Sequence, residues 1–94
     1  MDTTAFMERL HREGFIACDV KALEPGMTVA EHEHPFDVCA LVLDGEIALT
    51  VDGVETSYGP GQVFTMPAGY PHSERIGKAG VRYLPGRRQP AAQY

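Results

Sequence analysis

The chain has little positive charge. Eight lysine and arginine residues stand against thirteen aspartate and glutamate residues, for a formal net charge of −5. Nucleic acids and anionic membrane surfaces are bound through basic patches, so this balance argues against both as partners. The one basic cluster, Arg87-Arg88, is too small to alter that. Long apolar runs are missing too: no stretch approaches the roughly 18 residues that a membrane-spanning helix needs. The first residues, Met-Asp-Thr-Thr-Ala-Phe, lack the basic and apolar regions of a secretory signal, so a cytoplasmic location is the expectation. Cysteine is scarce. Cys18 and Cys39 lie in apolar, strand-like segments and read as reduced thiols rather than a disulfide. No internal repeat and no low-complexity block is present. Ninety-four residues suit one domain with one core and leave no room beside it for a DNA-binding helix-turn-helix.

What is present is a dense series of strands and turns. Residues 4–13 read as a short helix, with Thr3 or Thr4 as cap, Phe6 and Leu10 one turn apart, and Gly14 at the exit. His11, among charged neighbours, reads as solvated. Phe15–Val20 is predicted as a strand and Glu24-Pro25-Gly26 as a turn. Val38–Leu43 is a nearly continuous apolar run, which predicts a strand covered on both faces. Asp44-Gly45 and Asp52-Gly53 both have the composition of type I′ hairpin turns. Gln62–Met66, His72–Ile76 and Val81–Leu84 are further strands, with Gly59-Pro60-Gly61, Pro67-Ala68-Gly69 and Gly77–Gly80 between them. Residues 86–94 read as a loose tail. This spacing predicts an all-β sandwich or barrel over about residues 15–85, within a single domain spanning 1–94.

Three histidines stand out. His32 and His34 are two residues apart, and a strand directs such a pair to one side. His72, from a neighbouring strand, would complete a three-cornered cap. Neutral imidazole is the commonest metal ligand, and three of them suit first-row divalent ions. Glu31 and Glu33 have the opposite parity and are expected to face away. Asp37 could turn inward only through an irregular Pro35-Phe36-Asp37 segment. Glu74 shares parity with His72. It reads as a carboxylate on the rim, a partner to a ligating histidine, an acid or base toward a substrate, or a distant ligand. Tyr70 could donate a hydrogen bond to a bound molecule or simply pack. Phe36, Val38 and Met66 are expected to form an apolar pocket wall beside the histidines.

At these residues the sequence resembles the cupin superfamily. The first cupin motif has glycine, five residues, His-x-His, three residues, glutamate, six residues and glycine. Here it reads Gly26, His32, His34, Val38, Gly45. The second has glycine, five residues, Pro-x-Gly, two residues, histidine, three residues and asparagine. Here it reads Gly61, Pro67, Gly69, His72, Ile76. Eight of the ten positions match at the family's spacings, and the two motifs span residues 26–76. The resemblance implies a small double-stranded β-helix, the jelly-roll or cupin barrel, behind a short N-terminal helix. It also implies a homodimer and a metal near one mouth of the barrel.

The departures fall at the site itself. The family's glutamate ligand is Val38 here and its asparagine is Ile76. The pattern is similar to the three-histidine cupins, among them thiol dioxygenases and a diketone-cleaving dioxygenase that hold Fe(II). That implies a metal-dependent dioxygenase acting on a small polar or anionic molecule, with His32, His34 and His72 on the metal and Glu74 or Tyr70 as catalytic groups. Iron is implied for an oxygenase. Zn, Ni, Mn or Cu would suit isomerase or lyase chemistry at the same residues. A small-molecule or metal sensor without turnover, or a dead pocket on a retained fold, are the other readings.

Overall fold

The computed structural model describes residues 1–90. It contains one helix, α1 (Thr4–Arg12), and seven strands: β1 (Ile16–Ala17), β2 (Lys21–Leu23), β3 (Thr28–His32), β4 (Asp37–Val51), β5 (Val54–Tyr58), β6 (Val63–Met66) and β7 (His72–Arg88). The all-β expectation holds, with strands in a curled, fully antiparallel sheet.

Two long strands organise the sheet. β4 and β7 pair with each other from Asp37↔Arg88 to Thr50↔Ser73. The free edge of β7 takes β3, β2 and β1 in turn, and the free edge of β4 takes β6 and β5. On β4, alternation sends Ala40 and Val42 into the inner core with Ile47, Phe64, Met66, Ile76 and Tyr83. It sends Cys39 and Leu41 to the outer face, under Phe6 and Leu10 of α1. The strand is therefore covered on both faces, as its unbroken apolar run predicts. Gly86 is what lets the helix come close: a Cβ there would lie 2.8 Å from a Leu10 methyl.

The helix ends as the sequence suggests and begins differently. Gly14, at φ +80, closes a Schellman motif in which Phe15 N–H donates to the Leu10 carbonyl and Gly14 N–H to that of His11. Neither threonine caps the start. The Asp2 carboxylate accepts from Thr4 N–H at 2.9 Å instead.

The two Asp-Gly pairs separate. Asp52-Gly53 is the expected hairpin, with both residues at positive φ (51° and 77°) between the paired Val51 and Val54. Asp44-Gly45 makes no hairpin; it is a corner within β4, where the register to β7 shifts on either side. Gly45 lies backbone to backbone against Gly80, and Asp44 forms an ion pair with Arg82 directly across at 2.7 Å. Across this corner only Glu46 of β4 faces residues 77–80 of β7. The break expected at Gly77–Gly80 is thus a bulge inside one bent strand rather than a gap between two. The segment Phe15–Val20, read as one strand, yields only β1, and the chain re-pairs as β2.

The end of the barrel also lies later than expected. Pro85 through Arg88 remain in β7, held by Ile16 and Ala17 of β1, by Asp37–Ala40 of β4, and by the Arg88 guanidinium on Asp37. Pro85 falls between the stretches of β7 paired with β2 and with β1, and its carbonyl accepts from Cys18 N–H at 2.8 Å. Of the tail expected over 86–94, residues 91–94 lie outside the described residues. Cys18 and Cys39 are both free.

Candidate functional site

Strand register builds the site. His32 of β3 sits directly opposite His72 of β7. His34 lies two residues past His32, beyond the end of β3 rather than on it, in an extended connection that still brings its ring to the others. The turn at Pro67–Gly69 is fastened to this connection by two bonds: Gly69 N–H donates to the His34 carbonyl, and Ala68 N–H to an Asp37 carboxylate oxygen, both at 2.9 Å. The ring centroids of the three histidines are 4.3, 4.9 and 5.2 Å apart. One ligating atom from each falls within 4.8 Å of the others, so the three could hold a metal ion.

The tautomers are set by the backbone. Nδ1 of His32 lies 2.8 Å from the Ala30 carbonyl, and Nδ1 of His72 lies 2.9 Å from the Tyr70 carbonyl. A carbonyl only accepts, so each Nδ1 carries a hydrogen, and in the neutral ring each Nε2 then presents a lone pair. Those lone pairs face Glu74: its Oε2 is 3.3 Å from Nε2 of His32 and 3.7 Å from Nε2 of His72. With the rings neutral, three electron-rich atoms converge there. Either a proton on Nε2 or a bound cation satisfies that arrangement, and the donor set of imidazole nitrogens fits a first-row divalent ion. His72 is buried, at 3% exposure, which fixes its ring inside the barrel. His34 stacks on Phe36 at 5.0 Å. Burial first, then the charges of His32, His72, Lys21 and Arg87, lower its pKa and favour the neutral, ligating form.

Beside the histidines is a cavity of about 70 Å³. Phe36, Val38 and Met66 line it, together with His34, His72 and Glu74. Asp37 does not turn inward: Ala68 N–H and then Arg88 occupy its carboxylate and hold its pKa below the usual value. Glu31 and Glu33 are exposed, as their parity requires. Tyr70 reaches the site through its carbonyl only. Its half-exposed side chain lines a separate groove with Val51, Val54 and Thr56.

Three polar lining residues were not foreseen from sequence: Lys21, Tyr83 and Arg87. Tyr83 is buried, and burial reinforced by the Glu74 charge pushes its phenol up to about 12, so it is a hydrogen-bond donor at neutral pH. Its parity with Val81 marked it as inward-facing. Only the Lys21↔Tyr83 pairing, which sequence does not disclose, brings Lys21 beside it.

Solved structures share this fold. A Rhizobium leguminosarum bv. viciae protein of unknown function superposes with a TM-score of 0.72 at 20% identity, over 87% of this chain and 89% of that one. KdgF from Halomonas sp. gives 0.69 at 16% identity, over 83% and 71%. Oxalate decarboxylase from Bacillus subtilis, a protein with Mn(II) centres, gives 0.67 at 24% identity, over 79% of this chain and 21% of its own. No curated protein matches the sequence. No helix among the described residues is long and apolar enough to cross a membrane. The sequence model of the cupin domain matches residues 20–84, and with the fold and the histidine cluster in agreement the chain belongs to the cupin family.

Proposed function

We propose that this protein is a metal-dependent cupin in which His32, His34 and His72 hold one divalent ion and the adjoining cavity takes a small polar or anionic molecule. The observation that carries this reading is the clustering of one ligating atom from each of the three histidines, with Nδ1 of His32 and His72 already committed to carbonyls and their Nε2 atoms turned to a Glu74 oxygen. When bound, the ion would supply Lewis-acid polarisation or, as iron, the redox centre of a dioxygenase. Mn(II) in the oxalate decarboxylase and the three-histidine pattern are compatible with either.

The chain's own residues have distinct tasks in this reading. The Ala30 and Tyr70 carbonyls lock two imidazole rings in the ligating tautomer. Glu74 supplies, from β7, the carboxylate that Val38 does not supply from β4. Beside an ion it would balance charge and accept a proton from a bound molecule. Tyr83 stays protonated and donates to an oxygen of that molecule. Val38, Met66 and Phe36 keep the cavity apolar and limit water. A cytoplasmic homodimer accompanies this reading, and light scattering on the purified protein checks the dimer.

Elemental analysis of tag-free protein, wild type beside His72→Ala, tests the proposal. Near one metal per chain in wild type, lost in the variant, is the expected result. Negligible metal in wild type after reconstitution with Fe(II), Mn(II) or Zn(II) overturns it. Loaded with Fe(II) under anaerobic conditions, the protein should consume O₂ with one of a panel of small acids, thiols and diketones. A metal-loaded protein that binds such a molecule and leaves it unchanged is a sensor rather than an enzyme.

A further inference from the structure

The corner at Gly77–Gly80 bends β7 so that both of its halves line one cavity. The first half contributes His72 and Glu74. The second contributes Tyr83, Pro85 and Arg87, alternate residues on one face. Lys21 of β2, paired with Tyr83, joins them. The histidine side of the cavity thus has a counterpart that carries positive charge.

That charge is uncommitted. Arg9, Arg75, Arg82 and Arg88 each meet a carboxylate. Lys21 and Arg87 meet none among the described residues. The Arg87 guanidinium lies over the Phe36 ring, 4.4 Å from its centroid, which orients the group and leaves its fork of N–H donors free. The buried Tyr83 side chain forms no hydrogen bond among the described residues, and its oxygen is not a sealed, unsatisfied atom, so the hydroxyl opens to the cavity. Two cations and a phenol donor face a single carboxylate, Glu74, before any metal is added.

We propose that Lys21, Tyr83 and Arg87 form an anion-binding wall that anchors the carboxylate of a small organic acid, with the acid's other end directed at the three histidines. The remaining walls select a carbon acid over an inorganic anion: Val38, Leu49 and Met66 are apolar and need a hydrocarbon segment to cover them. The planar carboxylate matches the guanidinium fork. This deepens the functional reading above by naming the molecule's class, and rests on it only for the histidine end.

The test is an NMR titration of ¹⁵N-labelled, tag-free protein, with and without Zn(II), using malonate as the probe. Malonamide is the neutral counterpart and inorganic phosphate the competing oxyanion. Malonate should bind saturably and shift the resonances of Lys21, Tyr83 and Arg87. Lys21→Gln and Arg87→Gln should each weaken it about tenfold or more, the loss of one charge-assisted contact. In His72→Ala the residual malonate binding should keep its dependence on Arg87, which separates this wall from the metal site. Equal affinity for malonamide, unchanged malonate affinity in both variants, or no saturation in metal-loaded wild type overturns the proposal. Phosphate binding more tightly than malonate overturns the carboxylate assignment. If Arg87→Gln loses its dispersed spectrum, Lys21→Gln decides alone, since Lys21 is exposed on a short strand. Malonate binding by a wild type that takes up no metal would sink the metal reading and leave this one standing.

Discussion

Gly45→Ala should be far more damaging than Gly53→Ala, although both glycines follow an aspartate and both have φ near +78 (79° and 77°). The conformational cost is common to the two: an L-residue in the left-handed region loses about 1–2 kcal/mol. The surroundings differ. A Cβ on Gly53 meets nothing within 4 Å. A Cβ on Gly45 would lie 2.0 Å from the Gly80 carbonyl oxygen and 2.8 Å from Val81 Cα, where ordinary contact begins at 3.4 Å. Those neighbours are backbone, so relief requires moving β4 and β7 apart by more than an ångström at their shared corner. Overpacking of this kind costs about 1–3 kcal/mol, and each ladder hydrogen bond broken adds about 1 kcal/mol. The total for Gly45→Ala is then about 3–6 kcal/mol, against a stability of about 5–10 kcal/mol for a chain of this size. Urea unfolding followed by far-ultraviolet circular dichroism reads the difference. With a slope of about 1–1.5 kcal/mol per molar urea, the Gly45→Ala midpoint should lie at least about 1.3 M below that of Gly53→Ala. Midpoints within about 0.3 M of each other would refute the corner and restore the second hairpin.

Three further outcomes follow from the same geometry. Asp37 joins the Pro67–Gly69 turn and the end of β7 to the start of β4, so Asp37→Asn should cost about 2 kcal/mol at neutral pH. Its pKa is lowered in the folded chain. The carboxylate's contribution is therefore complete above the ordinary value of 3.8 and disappears as pH falls through the folded value. Acid unfolding curves of wild type and variant should converge below about pH 4, and a gap that stays constant with pH would contradict this. Leu10→Ala, at a residue 1% exposed beneath Gly86, should cost about 3 kcal/mol and lower Tm by at least about 12 °C without changing metal content. A smaller loss in calorimetry would mean that α1 is an appendage. Glu74→Gln should weaken the metal by about tenfold or more in chelator competition, and Val38→Glu in that background should recover part of the loss; unchanged affinity would remove Glu74 from the ion's surroundings.

Much of the fold could be read because it depends on local chemistry. The double-sided apolar run became β4, the helix stopped at Gly14, and Asp52-Gly53 turned a hairpin, each from residues adjacent in the chain. Asp44-Gly45 misled because positive φ serves a bulge as well as a turn. What decides between them is whether the following residues fold back or continue, and that depends on Gly80, far along the sequence. The same division runs through the site. The histidine triad and its apolar wall were legible from spacing and parity. Glu74 shares parity with His72, which left its place, rim or cavity, open. Its convergence on two Nε2 atoms required the β3–β7 register, and the cationic wall required a strand pairing between Lys21 and Tyr83. On the proposed reading, the carboxylate that Val38 does not supply from one strand comes from Glu74 on another. Both positions line the same cavity. A barrel places facing strands close enough that a ligand's charge can be supplied from either, so loss of a motif residue does not by itself imply loss of the chemistry.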